Sequence, residues 1–255
     1  MEKKILEKLN EIEKEYDVKI LFAVESGSRA WGFSSNDSDY DVRFVYVHKL
    51  DYYLSLDEKR DVIEYMLDDV YDINGWDLDK TLKLLASSNP TLFEWLNSPI
   101  FYKKSKLYYK LNELSSSYFS KSTCIHHYLS MAKSTYKTYI FGKEKLKFKK
   151  YFYVIRTIMA ARYILKYNKI PPVLFDNLVK EILPNKLVPI IEDLLLKKKN
   201  SNETELITPI KELNDYIDEE IEKIENEVKS VSKENISYDK LNEYFKDVVK
   251  NYDKY

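Results

Sequence analysis

The chain has a single cysteine, Cys124, so it has no partner for an intramolecular disulfide, which fits a reducing compartment. Four glycines and seven prolines in 255 residues are too few for a turn-rich β fold and favour helix. Histidines number three, and His126 and His127 fall in a predicted helix with no Cys or acid at ligand spacing, which argues against a zinc site. Neither sign of charge is in excess: the net charge is −1, so no global nucleic-acid footprint exists and only a local basic stripe is open. No Walker-type loop and no dinucleotide fingerprint occur. No apolar run approaches the ~20 residues of a membrane span. The N-terminal MEKKILEKLNEIEKEY alternates charged and apolar residues and lacks the apolar core of a secretory signal. A cytoplasmic protein with no membrane partner is expected.

What is present is 44% hydrophobic residues, enough for a sizeable core in one large domain or two small ones. Ile5, Leu9, Ile12 and Tyr16 recur at helical spacing and predict a helix over 2–16. VKILFAVE at 18–25 reads as a buried strand, SGSRAWGFSSNDS as a turn and loop, and DYDVRFVYVH at 39–48 as a second strand. Residues 49–69 are polar and mixed and carry no clear element, with Asp68 and Asp69 expected in solvent. VYDINGW at 70–76 predicts a third strand, and Asp77 an N-cap for a helix near 78–87. Asn89-Pro90 ends that helix, and TLFEWLNS forms a short one. Beyond about residue 104 the strand signals fade. Helices are expected over 105–116, 120–141 and 148–168. Pro171-Pro172 makes a break. Further helices are interrupted by Pro184, Pro189 and KKKNSNE at 197–203, then one long helix covers 206–232 and a short one 237–255. The expected organisation is α+β: residues 1–104 with a mixed sheet and flanking helices, residues 105–255 all helical.

The most informative stretch is ESGSRAWGFSSNDSDYDVRFVYV, residues 25–47. Phosphoryl and nucleotidyl transfer concentrate negative charge on phosphates, and two divalent cations about 4 Å apart can clamp the attacking and leaving oxygens. Magnesium prefers hard carboxylate oxygens. Asp39 and Asp41, at i and i+2 on a strand, point the same way together with Arg43, while Tyr40, Val42 and Phe44 point the other way. A Gly-Ser turn offers backbone N–H groups and a hydroxyl to phosphates, and Gly27 and Ser28 supply it. Ser38 precedes the acids and is placed to orient them.

Gly27-Ser28, ten residues, then Asp39-Tyr40-Asp41 resembles the signature of the DNA polymerase β-like nucleotidyltransferase superfamily. GSRAWGF, SDYDVRFVYVH, DINGWDLDKTLKLL, SNPTLFEWLNSPI and KKYFYVIR, in that order, resemble the predicted nucleotidyltransferases associated with RNA repair. These motifs span about residues 22–102 and 145–175. Where similar sequences tend to have Pro after the Arg of KKYFYVIR, this one has Thr157. The resemblance implies a polymerase β-like N-terminal domain and transfer of a nucleoside monophosphate from an NTP to a hydroxyl, with pyrophosphate released. It implies two Mg²⁺, or Mn²⁺ in their place, at Asp39 and Asp41, and a third acid from a neighbouring strand. Asp72, an acid inside an apolar strand, is favoured for that role; Asp77, explicable as a helix cap, is the alternative. An RNA 3′ end is the implied acceptor. A protein or small-molecule acceptor (a toxin-neutralising type included) and a non-catalytic nucleotide- or RNA-binding module of the same fold are the alternatives.

Other residues carry two readings each. Arg29 suits a triphosphate contact or an ion pair with Glu25, and Arg43 a phosphate contact or a structural pair with the acids. Trp31 and Cys124 read as core. Lys149, Tyr153 and Arg156 share one helical face, and Phe148, Phe152, Ile155 and Met159 another. The first set suits a triphosphate and a stacked base, or an ordinary wet face. Lys143, Lys145, Lys147, Lys149 and Lys150 form a basic run suited to an RNA backbone or simply to solvent.

Overall fold

The computed structural model describes residues 1–35, 38–68, 70–200, 205–231 and 236–254. In chain order the elements are α1 (Glu2–Glu15), β1 (Lys19–Glu25), α2 (Gly27–Ala30), β2 (Tyr40–Val47), α3 (Leu50–Leu54), β3 (Val62–Asp68), β4 (Tyr71–Asp77), α4 (Leu78–Ala86), α5 (Pro90–Leu96), β5 (Phe101–Lys104) and α6 (Lys106–Ser115). There follow α7 (Lys121–Tyr139), β6 (Leu146–Lys147), α8 (Lys149–Tyr167), α9 (Phe175–Ile182), α10 (Val188–Asn200), β7 (Leu206–Ile207), α11 (Lys211–Val228) and α12 (Asp239–Lys250). The fold class is α+β, as expected.

The chain forms two compact units: residues 1–30, 39–118 and 235–255 make one, residues 31–38 and 119–234 the other. The boundary drawn at 104/105 from the sequence falls at the end of β5, whereas the first unit runs on through α6 and takes back the C-terminal helix. A contact pattern of this kind leaves no compositional mark in a linear sequence.

The first unit is built on a five-stranded mixed sheet of order β3-β4-β2-β1-β5. β2 runs antiparallel to β1 and parallel to β4, with Asp41 opposite Asp72 and Tyr46 opposite Asp77. Period-two alternation sends Val42, Phe44, Tyr46, Tyr71 and Ile73 into one core, which Ile5, Leu9 and Ile12 of α1 complete. On the other face Trp76 of β4 stacks on Trp95 of α5 at 3.8 Å between ring centres. Four residues earlier on that same face, Asp72 stays exposed. The sheet is thus covered at one end of β4 and open at the other.

Four strands depart from the sequence expectation: β6 and β7 pair within the part expected to be all helical, and two more lie in the main sheet. β3 lies within the stretch that showed no clear element, and β5 lies where a helical region was about to begin. Both are edge strands, paired on one side only, so neither carries the continuous apolar run of a buried strand. Asp69 lies outside the described residues.

In the second unit α7 and α8 pack along each other, with α9 and α11 against α8. Phe33 stacks on Phe152 at 5.1 Å and meets Phe175 edge-on at 5.1 Å, so the short 31–38 segment supplies core to this unit. Cys124 is buried, as expected. Two helix boundaries shift. α10 includes Pro189 in its first turn, where proline is tolerated, and continues through Lys197 to Asn200 rather than breaking at 197; residues 201–204 lie outside the described residues. The long helix expected from 206 begins at Lys211, after Pro209, and Leu206–Ile207 pair with Leu146–Lys147 instead.

Gly75 is the tightest point of the main sheet. It faces Phe44 across the β2–β4 ladder, and a Cβ there would lie 2.2 Å from the ring. Gly75→Ala is expected to lower stability by about 1–3 kcal/mol by overpacking, read as a lower urea midpoint at unchanged slope.

Candidate active site

The open end of β2 and β4 gathers the predicted acids. Asp39 is exposed just before β2; Asp41 is its second residue and is half-buried. β1 ends at Glu25, and Gly27 opens α2 with a φ of +58°. The N–H of Ser26 donates to the Asp41 carbonyl at 2.8 Å, which ties the turn to β2. A Cβ on Gly27 would lie 2.0 Å from Oδ2 of Asp41. Only glycine therefore allows this turn to approach the carboxylate, and its left-handed conformation is the one glycine adopts freely.

Arg29 follows in α2. Its Nε donates to the Asp39 carbonyl at 3.1 Å, and its guanidinium lies over the Tyr40 ring at 3.8 Å. Arg29 also exerts an electrostatic pull on the Glu25 carboxyl.

Arg43 lies between the two strands. Its NH1 donates to the carbonyls of Val42 at 3.1 Å and Asp72 at 2.9 Å. Its NH2 donates to Oδ1 of Asp41 at 3.1 Å and Oδ2 of Asp72 at 2.6 Å. Of the two readings of Arg43, this geometry is the ion pair with the acids. Burial raises the Asp41 carboxyl, and the neighbouring Asp72 and Asp39 add to the rise; Arg43 and Arg29 work against it.

Asp72 stands directly beside Asp41 in the ladder. Asp77 stands five positions further along β4, about 17 Å away at the rise of a strand. Its Oδ1 caps α4 through the N–H of Asp79 at 2.7 Å, and its Oδ2 accepts from the Tyr53 hydroxyl at 2.9 Å. Asp77 is thus a helix cap at the far end of the sheet, and the acid adjacent to Asp41 is Asp72.

Glu25 is a residue that sequence reasoning passed over as part of the site. It is 1% exposed, its Oε1 accepts the Asp41 N–H at 2.8 Å, and its Oε2 accepts the Tyr102 hydroxyl. Burial raises its carboxyl, against those two hydrogen bonds. The signal was the one that singled out Asp72: a lone acid closing an apolar strand, KILFAVE, is costly unless it has partners.

The other predicted contacts belong to the second unit. Lys149 is half-buried at the start of α8, Tyr153 is exposed, and Arg156 is 3% exposed. The Arg156 guanidinium lies over Trp31 at 4.4 Å, and Trp31 meets the Tyr153 ring edge-on at 5.5 Å. The predicted stripe is therefore accessible at Lys149 and Tyr153 and covered at Arg156. Phe148, Phe152, Ile155 and Met159 are fully buried, as their spacing implied. Trp31 is half-buried. The Ser38 hydroxyl accepts the Ser35 N–H at 2.9 Å, serving its own loop.

The sequence model of the family described as "RNA repair pathway DNA polymerase beta family" matches residues 1–247. The chain belongs to that family. The match runs well past residue 175, where the motif resemblance ended, so both units lie within the RNA repair polymerase β family. The uncharacterized protein YcgL of Bacillus subtilis (strain 168) is 44% identical over 236 residues, covering 92% of this chain and 90% of YcgL. Among solved structures, the nucleotidyltransferase-like protein from Exiguobacterium sibiricum 255-15 is similar at 12% identity and a TM-score of 0.31, over 89% of this chain and 75% of that one. No helix among the described residues is long and apolar enough to cross a membrane.

Asp77 generates a pH prediction. Burial pushes its carboxyl up to about 6, against the hydrogen bonds from Asp79 and Tyr53. The folded chain then holds this proton more tightly than the unfolded chain, so the contribution to stability is present at low pH and lost as pH rises through about 6. Asp77→Asn keeps a capping oxygen and removes the titration. Between about pH 4 and pH 7, urea unfolding should shift in favour of the variant over wild type by on the order of 3 kcal/mol.

Proposed function

We propose that the protein moves a nucleoside monophosphate from an NTP to an acceptor hydroxyl, releasing pyrophosphate. The observation that carries the reading is the close approach of the Gly27 turn to Asp41, beside Asp39, at the open end of the sheet. Family membership supports the same reaction class.

Among the described residues, no group of three His, Cys, Asp or Glu side chains is arranged to hold a metal ion. Two carboxylates suffice for Mg²⁺, which commonly takes one or two together with phosphate oxygens and waters. Asp39 is exposed, and Oδ2 of Asp41 is directed to the glycine turn, so this pair fits such an ion, or Mn²⁺ in its place. Asp39 and Asp41 would hold such an ion, which would supply positive charge to the phosphate oxygens. Gly27 lets the turn close on Asp41, and we assign the Ser28 hydroxyl to phosphate. Arg29 is braced on Tyr40 with its charge next to Asp39.

RNA is the acceptor we favour, and the family description names an RNA repair pathway. In the second unit Lys143, Lys145 and Lys147 are exposed, and Tyr139 and Phe141 are 46% and 62% exposed nearby in sequence. Burial and the neighbouring Lys149 and Lys147 lower Lys150, whose ammonium lies over the Tyr139 ring at 3.8 Å. Lysines interleaved with accessible rings suit a single-stranded polynucleotide, whose phosphates take the charge and whose bases stack.

The test is label transfer from each α-³²P-NTP with Mg²⁺, offering RNA or protein extract, beside Asp39→Asn/Asp41→Asn. Label should enter RNA and fall about 100-fold or more in the variant, since the lost charge stabilisation amounts to several kcal/mol. Label on protein instead keeps the reaction and overturns the RNA acceptor. No transfer with Mg²⁺ or Mn²⁺ at any NTP, with nucleotide still bound, overturns catalysis in favour of a binding module.

A further inference from the structure

We infer that Arg43 is the site's built-in second cation: its guanidinium holds the position between Asp41 and Asp72, so the site takes one divalent ion, at Asp39 and the glycine-facing oxygen of Asp41, and Asp72 anchors Arg43 instead of binding metal. The inference rests on the nucleotidyl-transfer reading and refines the two-ion arrangement that the motif implies.

Three observations lead there. A pair of ions about 4 Å apart is bridged by a carboxylate that offers one oxygen to each. Asp41 is the carboxylate beside both Asp39 and Asp72, and its oxygens are divided: Oδ1 accepts from Arg43 at 3.1 Å, while Oδ2 is turned to Gly27. An ion bridging Asp41 to Asp72 would have to take the place of that guanidinium nitrogen. Second, the oxygen that Asp72 directs to Asp41 is itself taken, because Oδ2 accepts from the same Arg43 nitrogen at 2.6 Å. Third, the guanidinium is fixed by more than the two acids. NH1 also donates to the carbonyls of Val42 and Asp72, so all four N–H bonds of the two terminal nitrogens have acceptors.

Exposure supports a structural cation rather than a mobile one. The Arg43 side chain is 17% exposed, against 51% for Asp72 and 31% for Asp41. Moving the guanidinium to admit an ion would break four bonds and leave two main-chain carbonyls without it. Arginine suits this position because it stays protonated and its planar fork bridges two strands at once. Arg43 would then act in the reaction as fixed positive charge beside the metal, and Asp72 as its positioning residue.

Mn²⁺ electron paramagnetic resonance decides the matter on the wild-type chain, with a non-hydrolysable α,β-methylene NTP and saturating Mn²⁺, excess ion removed by gel filtration. An isolated ion gives a six-line spectrum, and two ions bridged by one carboxylate give an exchange-coupled spectrum. The expected result is one Mn²⁺ per chain and six lines. Asp72→Asn should keep that count, and Arg43→Gln should admit a second ion and produce the coupled spectrum. A coupled spectrum from wild type, loss of an ion in Asp72→Asn, or six lines in a folded Arg43→Gln each overturns the inference. No protein-bound Mn²⁺ in wild type, unchanged by Asp39→Asn/Asp41→Asn, overturns the metal reading itself, an outcome distinct from the coupled spectrum.

Discussion

The parallel pairing of β2 with β4 is the constraint on which the site depends. It sets Asp41 opposite Asp72 and carries Asp77 away to the other end of the ladder. A one-residue slip would turn every side chain of one strand to the opposite face, which would bury the acids and expose Phe44 or Ile73. The register is held by apolar packing on the α1 side, where Phe44 closes over Gly75 and Tyr71 and Ile73 fill the same core. Core packing on one face thereby determines which carboxylates meet on the other.

Electrostatics explains the form of the open end. Asp39, Asp41 and Asp72 repel one another, and partial burial raises the Asp41 carboxyl further. The fold offsets this with Arg43, shared between Asp41 and Asp72, and with Arg29 beside Asp39. Glu25 sits deeper and is held by hydrogen bonds from the Asp41 backbone and Tyr102. An acceptor at the end of β1 and a donor in β2 thus keep the strand end in place where the ladder stops. Such an arrangement is costly for folding alone, since buried carboxylates give little net stability even when paired.

Much of this was legible in the residues. The α1 stripe, the apolar β1 run, the alternation of β2, the Asp77 cap and the α7 and α8 helices each have a local cause, in periodicity or in capping chemistry. The Gly-Ser and Asp-x-Asp spacing was local as well. β3 and β5 were not legible because an edge strand need satisfy only one neighbour and one face. Arg156 read as part of an accessible stripe because helical spacing records which residues share a face, and not what covers it; Trp31, far away in sequence, does the covering.

The sequence by itself determined the family and the close-packed turn at Gly27 beside the paired acids Asp39 and Asp41, because both are set by short-range geometry. It also determined the α+β class, through the switch from strand to helix periodicity. Only the tertiary structure decided which distant acid joins them, that Glu25 locks β2 from below, and that Arg43 stands between Asp41 and Asp72. Those choices follow from strand register and from side chains reaching across a ladder, and two residues some thirty positions apart in the chain carry no local record of having become neighbours.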